Sequence, residues 1–165
     1  MSFFNKLGKV IDIITEPESV SKGYDFESYI ASLFPQERFS IVEWTNDICR
    51  KHDRYVESDT RPDLTVRHLK TDQIFHIECK YRSELYEGKL NWTNPRQLQR
   101  YQEFSRNSQN PFYVVIGLCG KASNPKYLFC IPLQEARYPA LYPSIFERYE
   151  RDAWKEFDVK GRWLV

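Results

Sequence analysis

The sequence predicts an α/β domain, a mixed β-sheet flanked by helices in the order α-β-β-β-α-β. Three observations carry this. The stretch from Arg61 to Arg82, RPDLTVRHLKTDQIFHIECKYR, holds two short runs with alternating side chains on either side of a polar turn, the pattern of paired strands. Phe112-Tyr113-Val114-Val115-Ile116-Gly117-Leu118 is a near-continuous apolar run of strand length, as expected for a strand buried on both faces. Between them, Asn94-Pro95-Arg96-Gln97 is a strong helix start. Asn94 suits the N-cap, Pro95 the first turn, and Gln97 the position from which a side chain reaches back to the cap.

The other elements follow in chain order. Phe3, Leu7, Val10, Ile11 and Ile14 fall at helical spacing and predict an amphipathic helix over 3–14. Its apolar stripe is expected to pack on the domain's own core, with a contact to a second copy or to a partner protein as the alternatives. A second helix runs from about Ser21 to Leu33, with Tyr24, Phe26, Tyr29, Ile30 and Leu33 on its apolar side and Pro35 as its stop. Phe39–Trp44 reads as the first strand and the polar segment from Thr45 to Thr60 as a loop. His52 in that loop is read as solvated. Asp63–Arg67 and Ile74–Tyr81 are the second and third strands, turning through Lys70, Thr71 and Asp72. A long polar connection spans Ser83–Thr93. The helix from Asn94 then carries Leu98, Tyr101 and Phe104 to about Arg106. After the strand from Phe112 come a further strand, Tyr127–Ile131, a short helix with Ile145, Phe146 and Tyr149, and an alternating edge strand, Trp154–Val159. The whole of 1–165 is expected to be a single domain, with 132–165 as a C-terminal extension.

Composition sets bounds. The 165 residues are 41% hydrophobic and 16% aromatic, enough for a sizeable core. A net charge of +1 means that any surface for nucleic acid must be a local basic patch. Cys49, Cys79, Cys119 and Cys130 are widely spaced and contain no CxxC pair, which fits reduced thiols in a cytoplasmic protein better than disulfides or zinc. No apolar run is long enough to span a membrane, and Lys6, Lys9 and Asp12 interrupt the start in a way a signal peptide would not.

The chemistry concentrates between Asp63 and Lys80. Side chains alternate along a strand, so Glu78 and Lys80 share one face and Cys79 takes the other. If the two strands pair antiparallel, Asp63 at the start of one lies beside Glu78 and Lys80 near the end of the next. Two adjacent carboxylates call for a divalent cation, and a lysine beside them can hold a phosphate or an attacking water.

Pro62-Asp63 followed by Glu78-Cys79-Lys80 resembles the PD-(D/E)xK nuclease superfamily, which has the restriction-endonuclease-like fold. The likeness covers roughly Ser21 to Ile131. It implies a nuclease hydrolysing phosphodiester bonds of nucleic acid, DNA first, with Mg²⁺ or Mn²⁺ as cofactor. It further implies that Asp63, Glu78 and the backbone carbonyl of Cys79 hold the metal, and that Glu27, in the string Gly23-Tyr24-Asp25-Phe26-Glu27, adds a third acid. From the residues alone Glu27 is an ordinary solvent-facing helix position. The superfamily often carries a Gln-x-x-x-Tyr pair on the helix after the motif, which Gln97 and Tyr101 match. The pair would position DNA or the site, although a capping glutamine and a core tyrosine explain the same residues. Lys80 would act as electrostatic stabiliser, since nearby acids keep it protonated. Across Lys80–Arg106 six basic residues, Lys80, Arg82, Lys89, Arg96, Arg100 and Arg106, face three acids. This predicts a basic patch in which Arg82, Arg96 and Arg100 contact phosphates, the alternative being a solvated helix face. The cysteine spacing lacks the tight downstream group of iron–sulfur members. The competing function is a catalytically silent module of the same fold, binding nucleic acid or a protein partner.

Overall fold

A computed structural model describes residues 21–45 and 61–165. The expected helix over 3–14, His52 and Cys49 lie outside the described residues. Helix α1 covers 21–32 and is followed by β1, Phe39–Trp44. Next come β2, Leu64–His68, and β3, Ile74–Arg82, then a two-residue strand β4, Leu90–Asn91, and α2, Pro95–Ser108. After them run β5, Phe112–Lys121, and β6, Asn124–Pro132. The remainder holds β7, Ala140–Leu141, α3, Pro143–Phe146, a 3₁₀ turn at Glu147–Tyr149, β8, Glu150–Arg151, and a hairpin of β9, Val159–Lys160, with β10, Trp163–Leu164.

The main sheet has the order β1-β2-β3-β5-β6-β8. β1, β2 and β3 form an antiparallel meander, and β3 pairs with β5 in parallel through the α2 crossover. The β2–β3 turn places Asp72 at φ 58, a left-handed conformation that aspartate tolerates, and Thr71 Oγ1 lies 2.8 Å from His68 Nδ1.

The alternation along β3 separates two cores. Phe75, Ile77 and Cys79 join Phe26 and Ile30 of α1, and Leu33 just after it, on one face. On the other face α2 lays Leu98 and Tyr101 over Phe112, Val114 and Ile116 of β5. Gly117 of β5 is required by the first packing: a Cβ there would come within 2.5 Å of the Phe26 ring, which is 1% exposed. Gly117→Ala is therefore expected to destabilise the protein by about 1–3 kcal/mol, the usual cost of overpacking, measurable by urea denaturation.

Some sequence expectations are corrected. Tyr24 is exposed and stacks on Trp44 at 6.2 Å between ring centroids instead of entering the core. The connection 83–93 contains β4, which pairs with β7, and Trp92, which is completely buried with its Nε1 donating to the Tyr138 carbonyl. Trp154–Val159 is not an edge strand. Arg151 stacks on Phe157 and donates to the carbonyls of Lys155 and Glu156, while the Phe157 amide bonds to Leu33 and its ring stacks on Phe34. Backbone groups committed in this way are not offered to a sheet edge. Among the described residues no helix is long and apolar enough to cross a membrane.

Candidate active site

Asp63 stands one step before β2, across from Glu78, because Leu64 is in register with Ile77. The residue is pinned from both sides. Its Oδ2 accepts the Cys79 amide at 2.7 Å, and its carbonyl accepts the Thr45 amide at 2.8 Å. Pro62 before it favours the extended entry into the strand. Glu78 is 2% exposed, and its Oε1 accepts both the Tyr101 hydroxyl at 2.5 Å and the Lys80 Nζ at 2.6 Å. Cys79 points into the opposite core, as strand alternation requires.

Glu27 is buried, not solvent-facing. Its Oε2 accepts the Trp44 indole N–H at 3.1 Å, so the end of β1 holds the α1 carboxylate toward the sheet. Glu27, Asp63, Glu78, Cys79, Lys80, Arg82, Gln97 and Tyr101 all line one cavity of about 400 Å³. Gln97 has two tasks. Its backbone N–H bonds to the Asn94 cap at 2.9 Å, and its Oε1 accepts the Thr93 hydroxyl at 2.8 Å, in place of a reach back to the cap.

The basic run from Lys80 to Arg106 does not form one patch. Arg82 spends Nε, Nη1 and Nη2 on the carbonyls of Asn91, Tyr81 and Trp92, stapling the β4 segment to β3. Lys89 lies over the Tyr142 ring, 4.9 Å from its centroid. Arg96 and Arg100 ride on α2 outside the residues that line the cavity, and Arg106 lines a different groove at the far end of that helix. Beside Lys80 and Arg82, two cations not singled out in the sequence line the cavity, Lys22 and Arg61. Arg61 Nη1 pairs with Glu43 Oε1 at 2.7 Å. Its place directly before Pro62-Asp63 was the available signal. Lys22 offered none beyond being five residues ahead of Glu27.

Charge in the cavity is crowded. Burial, and next to it the negative charge of Glu78, hold the Asp63 carboxyl well above the usual carboxylate range; Glu27 adds to this, while Lys80 and the Cys79 amide oppose it. Burial works to lower the Lys80 ammonium, but Glu78 and Asp63 outweigh it, so Lys80 lies above its ordinary value and stays protonated. Glu78 Oε2 is buried and has no hydrogen-bond partner among the described residues. An unsatisfied buried carboxylate oxygen is costly, and a cation at that position would remove the cost. Among the described residues no three His, Cys, Asp or Glu side chains converge as a ready metal cage. Two carboxylates are nevertheless the usual protein share of a magnesium site, with water and substrate phosphate filling the remaining positions. The donors fit Mg²⁺ or Mn²⁺ held by Asp63 and Glu78.

This crowding predicts a stability effect. In the folded protein Asp63 holds its proton more tightly than in the unfolded chain. Its contribution is therefore complete below the unfolded value of about 4 and is lost as pH rises through the raised folded value. Asp63→Asn keeps an acceptor for the Cys79 amide and removes the charge. Without metal, the variant should melt above wild type at pH 7–8, and the gap should close toward pH 4. Added Mn²⁺ should raise the melting temperature of wild type and not of the variant.

This arrangement, a helix and an antiparallel three-stranded meander joined through a crossover helix to a parallel strand, is a restriction-endonuclease-like fold. A solved structure that shares it is Hjc, a Holliday junction resolvase of the archaeal hyperthermophile Archaeoglobus fulgidus. The match has a TM-score of 0.52 at 16% sequence identity and covers 74% of this chain and 89% of that one. No family model and no curated protein sequence matches this chain.

Proposed function

We propose that this chain is a metal-dependent nuclease that hydrolyses phosphodiester bonds of DNA. The observation that carries the proposal is the meeting of Asp63, Glu78 and Lys80 in one cavity, on a fold shared with a Holliday junction resolvase. Asp63 and Glu78, with the Cys79 carbonyl, would hold Mg²⁺ or Mn²⁺, and Glu27 would complete the acidic wall. When bound, such an ion would lower the pKa of a water and offset charge on the phosphate. Lys80, kept protonated by the acids around it, stabilises negative charge as it grows on the phosphoryl oxygens. Tyr101 fixes the rotamer of Glu78 through its hydroxyl. Gln97, one helical turn before Tyr101, faces the cavity and orients the substrate. Arg61 and Lys22 lie at the same opening, where they attract the DNA backbone. A cytoplasmic location fits the free thiols at Cys79, Cys119 and Cys130.

The second reading is a silent nucleic-acid-binding module. One contact favours it: Lys80 and Tyr101 already occupy Glu78 Oε1. Incubation with supercoiled, linear, single-stranded and four-way-junction DNA in Mg²⁺ or Mn²⁺ separates the two. Cleavage that EDTA stops is expected. Intact DNA on every substrate, with binding retained, would establish the silent module.

A further inference from the structure

The end of α2 away from the cavity opens onto a second groove of about 670 Å³, within the range of small-ligand sites, about 300–1,000 Å³. It lies where β5 begins and β6 ends. From Gln97 to Arg106 the helix axis advances roughly 13 Å, so this groove and the catalytic cavity occupy opposite ends of α2. Three arginines line it, Arg106, Arg137 and Arg162, and among the described residues no aspartate or glutamate does. None of the three takes part in an ion pair among the described residues. Trp163 also lines the groove and is 61% exposed. The indole face is therefore open to a planar partner beside these arginines.

The backbone that carries Arg162 and Trp163, and the stem of Arg137, are held in place before any ligand arrives. Arg162 and Trp163 follow Gly161, whose φ of +64 turns the β9–β10 hairpin. The hairpin is tied to the main sheet by the Leu164 amide, which donates to the Tyr113 hydroxyl at 3.1 Å, and by Gln73 Nε2, which donates to the Arg162 carbonyl at 3.3 Å. Arg137 Nε donates to the Gln134 carbonyl at 2.8 Å, which fixes its stem and leaves its Nη groups for a ligand. The C-terminal end of α2 weakly disfavours an anion, and Arg106 in its last turn offsets that.

We propose that this groove binds single-stranded nucleic acid, with phosphates on Arg106, Arg137 and Arg162 and an unpaired base stacked on Trp163. Guanidinium forks match phosphate geometry, and an exposed indole is a stacking platform for any base. A duplex would satisfy the arginines but has no free base face for Trp163. An acidic peptide would leave the indole unused. The assignment extends the nucleic-acid reading to a second face and requires neither metal nor cleavage.

The test uses the full chain carrying Asp63→Asn, in EDTA, with a fluorescein-labelled oligothymidylate followed by anisotropy across a salt series. Adding Arg137→Ala and Arg162→Ala should weaken binding at least tenfold and reduce the slope of log K against log salt by roughly 1.4, at about 0.7 per phosphate contact on a single strand. Trp163→Ala should weaken binding about fivefold or more, and Trp163→Phe should recover part of the loss. Both arginines are exposed, so the melting temperature should not move. Unchanged affinity and slope in the arginine variant would overturn the inference, as would absent binding by the parent or tighter binding of a polyglutamate peptide. Failure of the nuclease reading shows elsewhere, as wild-type protein that never cuts in Mn²⁺, and leaves these EDTA measurements standing.

Discussion

Lys80→Met is expected to lower DNA cleavage by roughly a hundredfold to a thousandfold while the protein still binds Mn²⁺. The figure is the usual loss when one preorganised group that stabilises developing charge is removed. Methionine keeps the stem and deletes only the ammonium, whose Nζ lies 2.6 Å from Glu78 Oε1. The loss should fall on kcat more than on KM, since the charge matters most where the phosphoryl oxygens become more negative. Single-turnover kinetics together with calorimetric Mn²⁺ titration check both halves. Wild-type cutting by Lys80→Met would mean that these residues are not the cleavage site.

Glu78→Ala should do more harm, and of two kinds. Cleavage and Mn²⁺ binding should both disappear if Glu78 is one of the two carboxylate ligands, as proposed. Stability should also fall by about 3–5 kcal/mol, the cost of leaving one partner of a buried ion pair uncompensated. The Lys80 side chain is only 18% exposed and would lose its closest anion, and the buried Tyr101 hydroxyl would lose its acceptor. Glu78→Gln keeps an acceptor for Tyr101 and should recover part of the stability without recovering metal binding. Chemical denaturation of the two variants separates the structural part of the effect from the catalytic part.

The parts of this site legible in the sequence were those fixed by strand geometry. A period of two places Glu78 and Lys80 on one face, and antiparallel pairing of two strands joined by a tight turn brings Asp63 opposite them. Neither needs any knowledge of the rest of the chain. Asn94-Pro95-Arg96-Gln97 was equally readable, because capping chemistry is local. Glu27 was legible only through the resemblance: helix propensity sends it to solvent, and the Trp44 indole that helps turn it inward sits on a different element. For Arg82 a sequence shows the charge but not the three carbonyls that take three of its five N–H donors. β4 and β7 are two residues each, too short to carry any periodicity, so the burial of Trp92 directly after β4, stacked on Tyr101, could not be foreseen. The alternation at Trp154–Val159 was misleading for a related reason. Phe157 is apolar because it stacks on Phe34, not because a sheet face needs it.

The measurement that tests the central claim most directly is plasmid DNA incubated with wild type and Glu78→Gln side by side, in Mn²⁺ and in EDTA. Nicked and linear products are expected from wild type in Mn²⁺ alone. Equal cutting by Glu78→Gln, or cutting that continues in EDTA, would contradict a metal-dependent nuclease centred on Asp63, Glu78 and Lys80.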